Sequence, residues 1–266
     1  MPVACTYILF FWFIYLMEIW TKTCDLFFKL SNEDRVKILY QINIEPSTIT
    51  VLAKKLGLST QEVSRHVSRL MDQRIVTRNI HGEIILDNYG RAILFCLPYF
   101  QFITQYKDYF NSHTLHGVPS NFIVRLHEIQ DSILVEDPMT VFQRIQLMSE
   151  NADEYIYRLT DQHLTMIYPQ IQSAADRGVE FKLLESLHYR PNPAATVYPR
   201  VAPSETRGLE NIPMFLALSE KEVAAIAFPL TSGGFDYYGF SSDDPKTHEW
   251  CLDLFSYYWE RAKPKA

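Results

Sequence analysis

A chain of 266 residues with 47% hydrophobic and 21% charged residues has the length for about two ordinary cores, which excludes a disordered chain, and its 9 glycines exclude a collagen-like or glycine-rich repeat. Cys5, Cys24, Cys96 and Cys251 never form a C-x-x-C pair, which excludes a zinc ribbon and predicts isolated, mostly buried thiols in a reducing compartment. The formal charge of −6 is unevenly spread: Lys54, Lys55, Arg65, Arg69, Arg74 and Arg78 against Glu62 and Asp72 give Ser47–His81 a charge of +4 and leave −10 on the remainder, so an anionic partner is expected for that segment alone.

Val3–Met17 is an apolar run broken only by Thr6 and followed by Glu18, Ile19 and Trp20. Eighteen helical residues span roughly 27 Å, near the minimum for a bilayer core. No Lys or Arg precedes the run and no small-residue cleavage site follows, so it does not read as a secretory signal. Residues 1–22 therefore read as an anchor, a buried dimerisation helix, or an untranslated stretch ahead of a start at Met17. The expected location is cytoplasmic, with membrane association through Val3–Trp20 as the alternative.

Residues 23–95 read as three helices and a hairpin. Ser31 or Asn32 caps a helix carrying Val36, Ile38, Leu39 and Ile42, with Glu33 and Asp34 suiting its positive end. After Pro46, Ser47 or Thr48 starts a helix with Ile49, Leu52, Ala53 and Leu56 on one stripe, ended at Gly57, where the turn requires positive φ. Ser59-Thr60-Gln61-Glu62 is a capping box. The helix behind it buries Val63, Val67 and Leu70, so Thr60, Gln61, Ser64, Arg65, Ser68 and Arg69 face outward. Arg and Gln can read base edges with two hydrogen bonds, while Ser and Thr hold phosphates. Ile75–Thr77 and Ile84–Leu86 flank a His81-Gly82 turn, a wing that places Arg74, Arg78 and His81 against a sugar-phosphate backbone.

ITVLAKKLGLSTQEVSRHVSRLMDQRIV with its hairpin and DNYGRAIL resembles the winged helix of ArsR-like archaeal transcriptional regulators. The metal-sensing cluster of that group is missing, since only His66 stands in the third helix, so no metal sensor is implied.

Residues 96–118 read as a connecting helix with an aromatic stripe at Tyr99, Phe102, Tyr106, Phe110 and His113, either packed on the next domain or joining two copies. Beyond Gly117-Val118-Pro119, residues 119–262 alternate: strands at Ser132–Val135, Tyr155–Tyr157, Val179–Leu184, Met214–Leu218, Val223–Phe228 and Phe235–Phe240, with helices after Asp137-Pro138, from Tyr168 to Ala175, and over Pro245–Arg261. The fold class is thus α+β or α/β: an N-terminal winged helix-turn-helix domain, a linking helix and a C-terminal α/β regulatory domain. YPQIQSAADRGVEFKLLE, FLALSEKEVAAIAF and SSDDPKTHEWCLDLFSYYWERAK resemble the regulatory domain of archaeal methanogenesis-regulator-type proteins.

No H-x-K, H-E-x-x-H, G-x-S-x-G or phosphate-binding glycine loop occurs, so neither an enzyme, a cofactor nor a metal is expected. A hydrolase-like enzyme with a DNA-binding appendage is the minor alternative. A ligand pocket at strand ends is drawn from Tyr155, Tyr157, Arg158, His188, Tyr189 and Arg190. Together these readings describe a one-component transcriptional regulator: a homodimer on double-stranded DNA whose affinity a small molecule or protein partner adjusts.

Overall fold

The computed structural model describes residues 3–162, 165–190 and 205–265, with side chains from Met17 onward. The chain divides into two compact units, Met1–Leu97 and Pro98–Ala266.

The first unit contains α1 (Val3–Leu30), α2 (Glu33–Ile44), α3 (Ile49–Leu56), α4 (Thr60–Asp72), a hairpin of β1 (Val76–Arg78) and β2 (Ile84–Leu86), and the first half of α5 (Asn88–Gln105). Local chemistry sets the helix starts: Asn32 accepts from the Arg35 N–H at 3.2 Å, and Thr48 from that of Val51 at 3.4 Å. α3 ends at Gly57 with φ +69°, which lets the Leu58 N–H reach back to the Ala53 carbonyl at 3.0 Å. Ile38, Leu39, Leu52, Val63, Val67, Leu70, Ile75 and Ile84 close one core between the helices and the hairpin. Ser47 exchanges backbone hydrogen bonds with Ile84 at 3.3 and 2.8 Å, tying the turn before α3 to β2.

The apolar N-terminal run is helical as the start of α1; its side chains up to residue 16 lie outside the described residues, as does most of the anchor reading. Among the described residues no helix is long and apolar enough to cross a membrane. Among the described cysteine side chains Cys24 and Cys96 are exposed and Cys251 is buried, which corrects the expectation of mostly buried thiols for these three; Cys5 lies outside the described side chains.

The second unit begins inside α5, where Pro98 removes one backbone donor, and continues with α6 (Lys107–Ser112) and α7 (Ser120–Ile123). The aromatic stripe is therefore split between two helices, with its Phe102, and Tyr109 beside the stripe, buried in this unit's core. β3 (Ile133–Val135), α8 (Pro138–Asn151), β4 (Tyr155–Thr160), α9 (Tyr168–Asp176), β5 (Glu180–Ser186), β6 (Glu205–Leu209), β7 (Phe215–Ser219), β8 (Val223–Ala227), β9 (Gly239–Ser242), α10 (Pro245–Arg261) and β10 (Lys263–Pro264) follow. The eight strands form one mixed sheet in the order β10-β6-β5-β4-β7-β8-β9-β3, with β4, β5 and β6 parallel to one another.

α10 packs on one face against Leu159, Leu184, Leu216 and Leu218, while α8 and α9 cover the other at Ile156, Leu183, Phe215 and Ala217. The strand expected over Phe235–Phe240 is instead confined to Gly239–Ser242, because Tyr237 sits at φ +63° and breaks the extended run. β6 and β10 escaped the sequence reading. Neither has the length or alternation to announce itself: β6 is held between β5 and β10, and β10 by β6.

Candidate nucleic-acid interface

The face of α4 follows from its burial pattern. Val63, His66, Val67 and Leu70 are buried, and Thr60, Gln61, Ser64, Arg65, Ser68 and Arg69 are all exposed. The capping box forms in full, with Ser59 N–H to Glu62 Oε2 at 3.0 Å and Glu62 N–H to Ser59 Oγ at 3.2 Å. This holds the Glu62 carboxylate at the helix start and leaves the neighbouring polar side chains free of helix-end duties. Lys55 pairs with Glu45, whereas Lys54 on α3 is exposed and adds to the positive face.

The end of α4 shows an unusual backbone choice. The Ile75 N–H reaches the Leu70 carbonyl at 3.0 Å and the Arg74 N–H that of Met71 at 2.9 Å, a Schellman closure with Arg74 at φ +56° where glycine is ordinarily found. A left-handed conformation costs a non-glycine residue about 1–2 kcal/mol.

The wing pairs Val76 with Leu86, Thr77 with Ile85 and Arg78 with Ile84. Asn79 Oδ1 accepts from the N–H groups of His81 and Glu83 at 2.9 and 3.0 Å, and Arg78 Nη1 donates to the Gly82 carbonyl at 2.8 Å. Arg78 thus braces the wing and keeps its other donors at the surface, and His81 is exposed at the tip. Between them Ile80 is 95% exposed, an apolar tip that polarity-based reading passes over. Its only sequence signal is its place between Asn79 and Gly82.

His66 belongs to the buried face, where burial first and then Arg65 lower its pKa; Asp34 lies 3.9 Å from its Nε2, and Arg35 and Arg69 add positive charge. The folded unit therefore disfavours the protonated ring. Unfolding takes up a proton between the lowered folded pKa and the ordinary value of about 6.5, so stability is full above that value and falls as pH drops through it. Urea melts of wild type and His66→Leu between pH 5 and 8 should diverge toward low pH, with the wild type losing more. A constant difference across that range would refute the assignment.

The six strand-end candidates of the second unit do not converge. Tyr155 and Tyr157 stack at 4.4 Å on the α10 face, where Tyr157 also stacks on Phe255 at 4.9 Å and donates to Glu180 at 2.7 Å. Arg158, one position along the strand, lies on the opposite face among the α8 and α9 side chains. His188 is exposed beside Glu210 at 3.2 Å, Tyr189 lies under Lys265, and Arg190 folds back on the carbonyls of Leu187 and Tyr189 at 3.1 Å.

A Ser–His–Asp contact invisible in sequence order also occurs. His113 Nε2 lies 3.1 Å from Asp236 Oδ1, and Ser112 Oγ lies 3.0 Å from Nδ1. Nδ1 is 2.8 Å from the Tyr109 carbonyl, which can only accept, so Nδ1 carries its proton toward that oxygen and offers Ser112 no base. The group ties the end of α6 to the segment before β9. Among the described residues no three His, Cys, Asp or Glu side chains are placed to hold a metal ion.

With this geometry in place, the family match falls on the unit that carries α4. Residues 35–83 match the MarR family. Over 51 residues the chain is 45% identical to an uncharacterized HTH-type transcriptional regulator of Methanocaldococcus jannaschii, an alignment covering 19% of this chain and 54% of that protein. The chain therefore spans about half the length of that curated relative. Among solved structures, TrmBL2, described as an archaeal chromatin protein with a novel mode of DNA binding, aligns with a TM-score of 0.41 at 14% identity over 88% of this chain and 94% of its own. NucT from Helicobacter pylori aligns with a TM-score of 0.36 at 15% identity over 50% of this chain and 97% of its own. Both scores are below what a shared fold requires, so the family likeness rests on residues 35–83.

Proposed function

We propose that this protein is a DNA-binding transcriptional regulator of one-component type, reading double-stranded DNA with α4 and clamping the backbone with Arg74, Arg78 and His81. The observation that carries this reading is the two-sided α4: six exposed polar or basic side chains opposite a fully buried stripe, within a segment of charge +4 on an acidic chain. The matched family and the resemblance to ArsR-like archaeal winged helices support the same assignment. Trp20, Phe27 and Phe28, exposed on α1, support a homodimer, in which a second copy covers them and two recognition helices meet a two-fold operator. The second unit acts as the regulatory part: a ligand or partner that binds better to one arrangement of the dimer shifts DNA affinity.

The test is fluorescence anisotropy on the protein's own promoter duplex across a salt series. Arg65→Ala should cost about 1–3 kcal/mol on the specific site and relax discrimination there. Arg78→Ala should weaken all sequences and lower the salt slope by about 1. Arg74→Gly relieves the left-handed strain, so it should leave melting unchanged or raised while also lowering the slope. A folded dimer that fails to bind at low salt would make the helix-turn-helix a protein-interaction module instead.

A further inference from the structure

Among the described residues, Arg158 is the one buried arginine of the large sheet. It is 1% exposed near the carboxyl end of β4, on the face covered by α8 and α9, and its Nε and Nη2 have no hydrogen-bond partner. Those two N–H groups point in parallel from one edge of the guanidinium. Arg125 uses the same edge elsewhere in this protein, holding Glu128 with Nε to Oε1 at 2.9 Å and Nη2 to Oε2 at 2.8 Å. Arg158 has the fork without a carboxylate.

We propose that the Nε–Nη2 edge of Arg158 binds the carboxylate of a small organic acid with an apolar body, in a buried site bounded by Asp161, Tyr168 and Tyr237. This rests on the reading of the second unit as the regulatory part, and names its ligand class.

Three further observations carry it. First, the neighbouring acid makes no hydrogen bond to the fork, although its charge favours the guanidinium. Asp161 accepts from the Tyr237 hydroxyl at 3.0 Å, and burial raises its pKa. Burial lowers the Arg158 pKa to about 10, which still leaves it charged at neutral pH, and an unpaired buried cation is costly. An anion arriving with the ligand removes that cost. Second, the side chains beside Arg158 in its row are small: it pairs with Ala217, which pairs with Ala225, so two methyl-sized side chains extend that row across the sheet. Third, Tyr237, whose hydroxyl holds Asp161, is kept at φ +63°, a conformation rarely adopted by a bulky residue and concentrated at ligand clamps. Phe142 and Phe215 stand edge-on to its ring at 5.4 and 5.1 Å, giving the site apolar walls. One positive fork among aromatic rings suits a monoanionic carboxylate; a phosphate dianion calls for more donors.

The test uses the full chain, with thermal melting and calorimetric titration against butyrate, benzoate and phenylacetate. Butyramide, benzamide and inorganic phosphate serve as comparators. At least one carboxylate should raise the melting temperature saturably, while the amides and phosphate should not. Arg158→Met should melt at or above the wild-type temperature without ligand and bind the carboxylate at least ~30-fold more weakly. Arg158→Lys keeps the charge but loses the fork, and should also bind weakly, which secures the test if the Met variant misfolds. The proposal falls if no carboxylate shifts the wild type, if either variant retains wild-type affinity, or if phosphate binds as well. Operator affinity measured with the bound carboxylate separates the two ideas: unchanged affinity with Arg158-dependent binding keeps the site and overturns the regulatory reading.

Discussion

Gly90→Ala should destabilise the winged-helix unit by about 3 kcal/mol, although alanine at an ordinary helical position would stabilise it by about 0.5–1 kcal/mol. A Cβ at Gly90 would fall inside the Ile75 carbonyl and crowd the Ile75 side chain at 3.2 Å. The obstruction is backbone and cannot swing away. Ile75 is itself fixed from three sides: its carbonyl accepts from the Asp87 N–H at 3.1 Å, its own N–H closes the end of α4, and its side chain is fully buried. Making room moves either α5 or the strand that leads into the wing. In a thermal melt resolved by unit, the first unit's transition should drop by roughly 12–24 °C. DNA binding should vanish over the same interval. A shift of a degree or two would show that α5 can ride away from Ile75 at little cost.

Trp250→Ala is the matching experiment for the second unit, expected to cost about 3–5 kcal/mol. Trp250 is fully buried in α10, meets Phe122 edge-on at 5.9 Å, and donates its Nε1–H to the Phe122 carbonyl at 3.3 Å. Truncation leaves a cavity on the α10 side of the sheet and removes one of the hydrogen bonds to the Phe122 carbonyl, which keeps that from the Arg125 N–H at 3.1 Å. The second unit's transition should fall by roughly 6–20 °C. Affinity for a short operator duplex, measured well below that transition, should persist, because no residue of the proposed DNA face belongs to this unit. Parallel loss of DNA affinity with the second unit still folded would place part of the reading surface beyond α4 and the wing.

The two sites were unequally legible in the chain. On α4, the Ser59–Glu62 box and the Val63/Val67/Leu70 stripe fall within twelve consecutive residues, inside the Ser47–His81 segment of charge +4, and the outward face follows from helical period alone. The sequence places Tyr155, Tyr157 and Arg158 together in one pocket because they share a strand end. Strand alternation, which sends neighbours to opposite faces, divides them, and that signal was present in the sequence. His188, Tyr189 and Arg190 were grouped with them as residues after a strand, yet each finds its partner locally or at Glu210 and Lys265.

What the sequence by itself determined is what contiguous residues settle through short-range hydrogen bonds. α4 begins at its capping box, α10 begins at Pro245 behind its Asp244 cap, and α3 stops where Gly57 turns left-handed. Only the tertiary structure decided the sheet order that sets β7 between β4 and β8, the pairing of β6 with β5 and β10, the left-handed turn at Tyr237 that cuts a predicted strand short, and the burial of Arg158 without a carboxylate. Those features depend on which distant strands meet and on the space left between them, and a side chain's own neighbours in the chain carry no record of either.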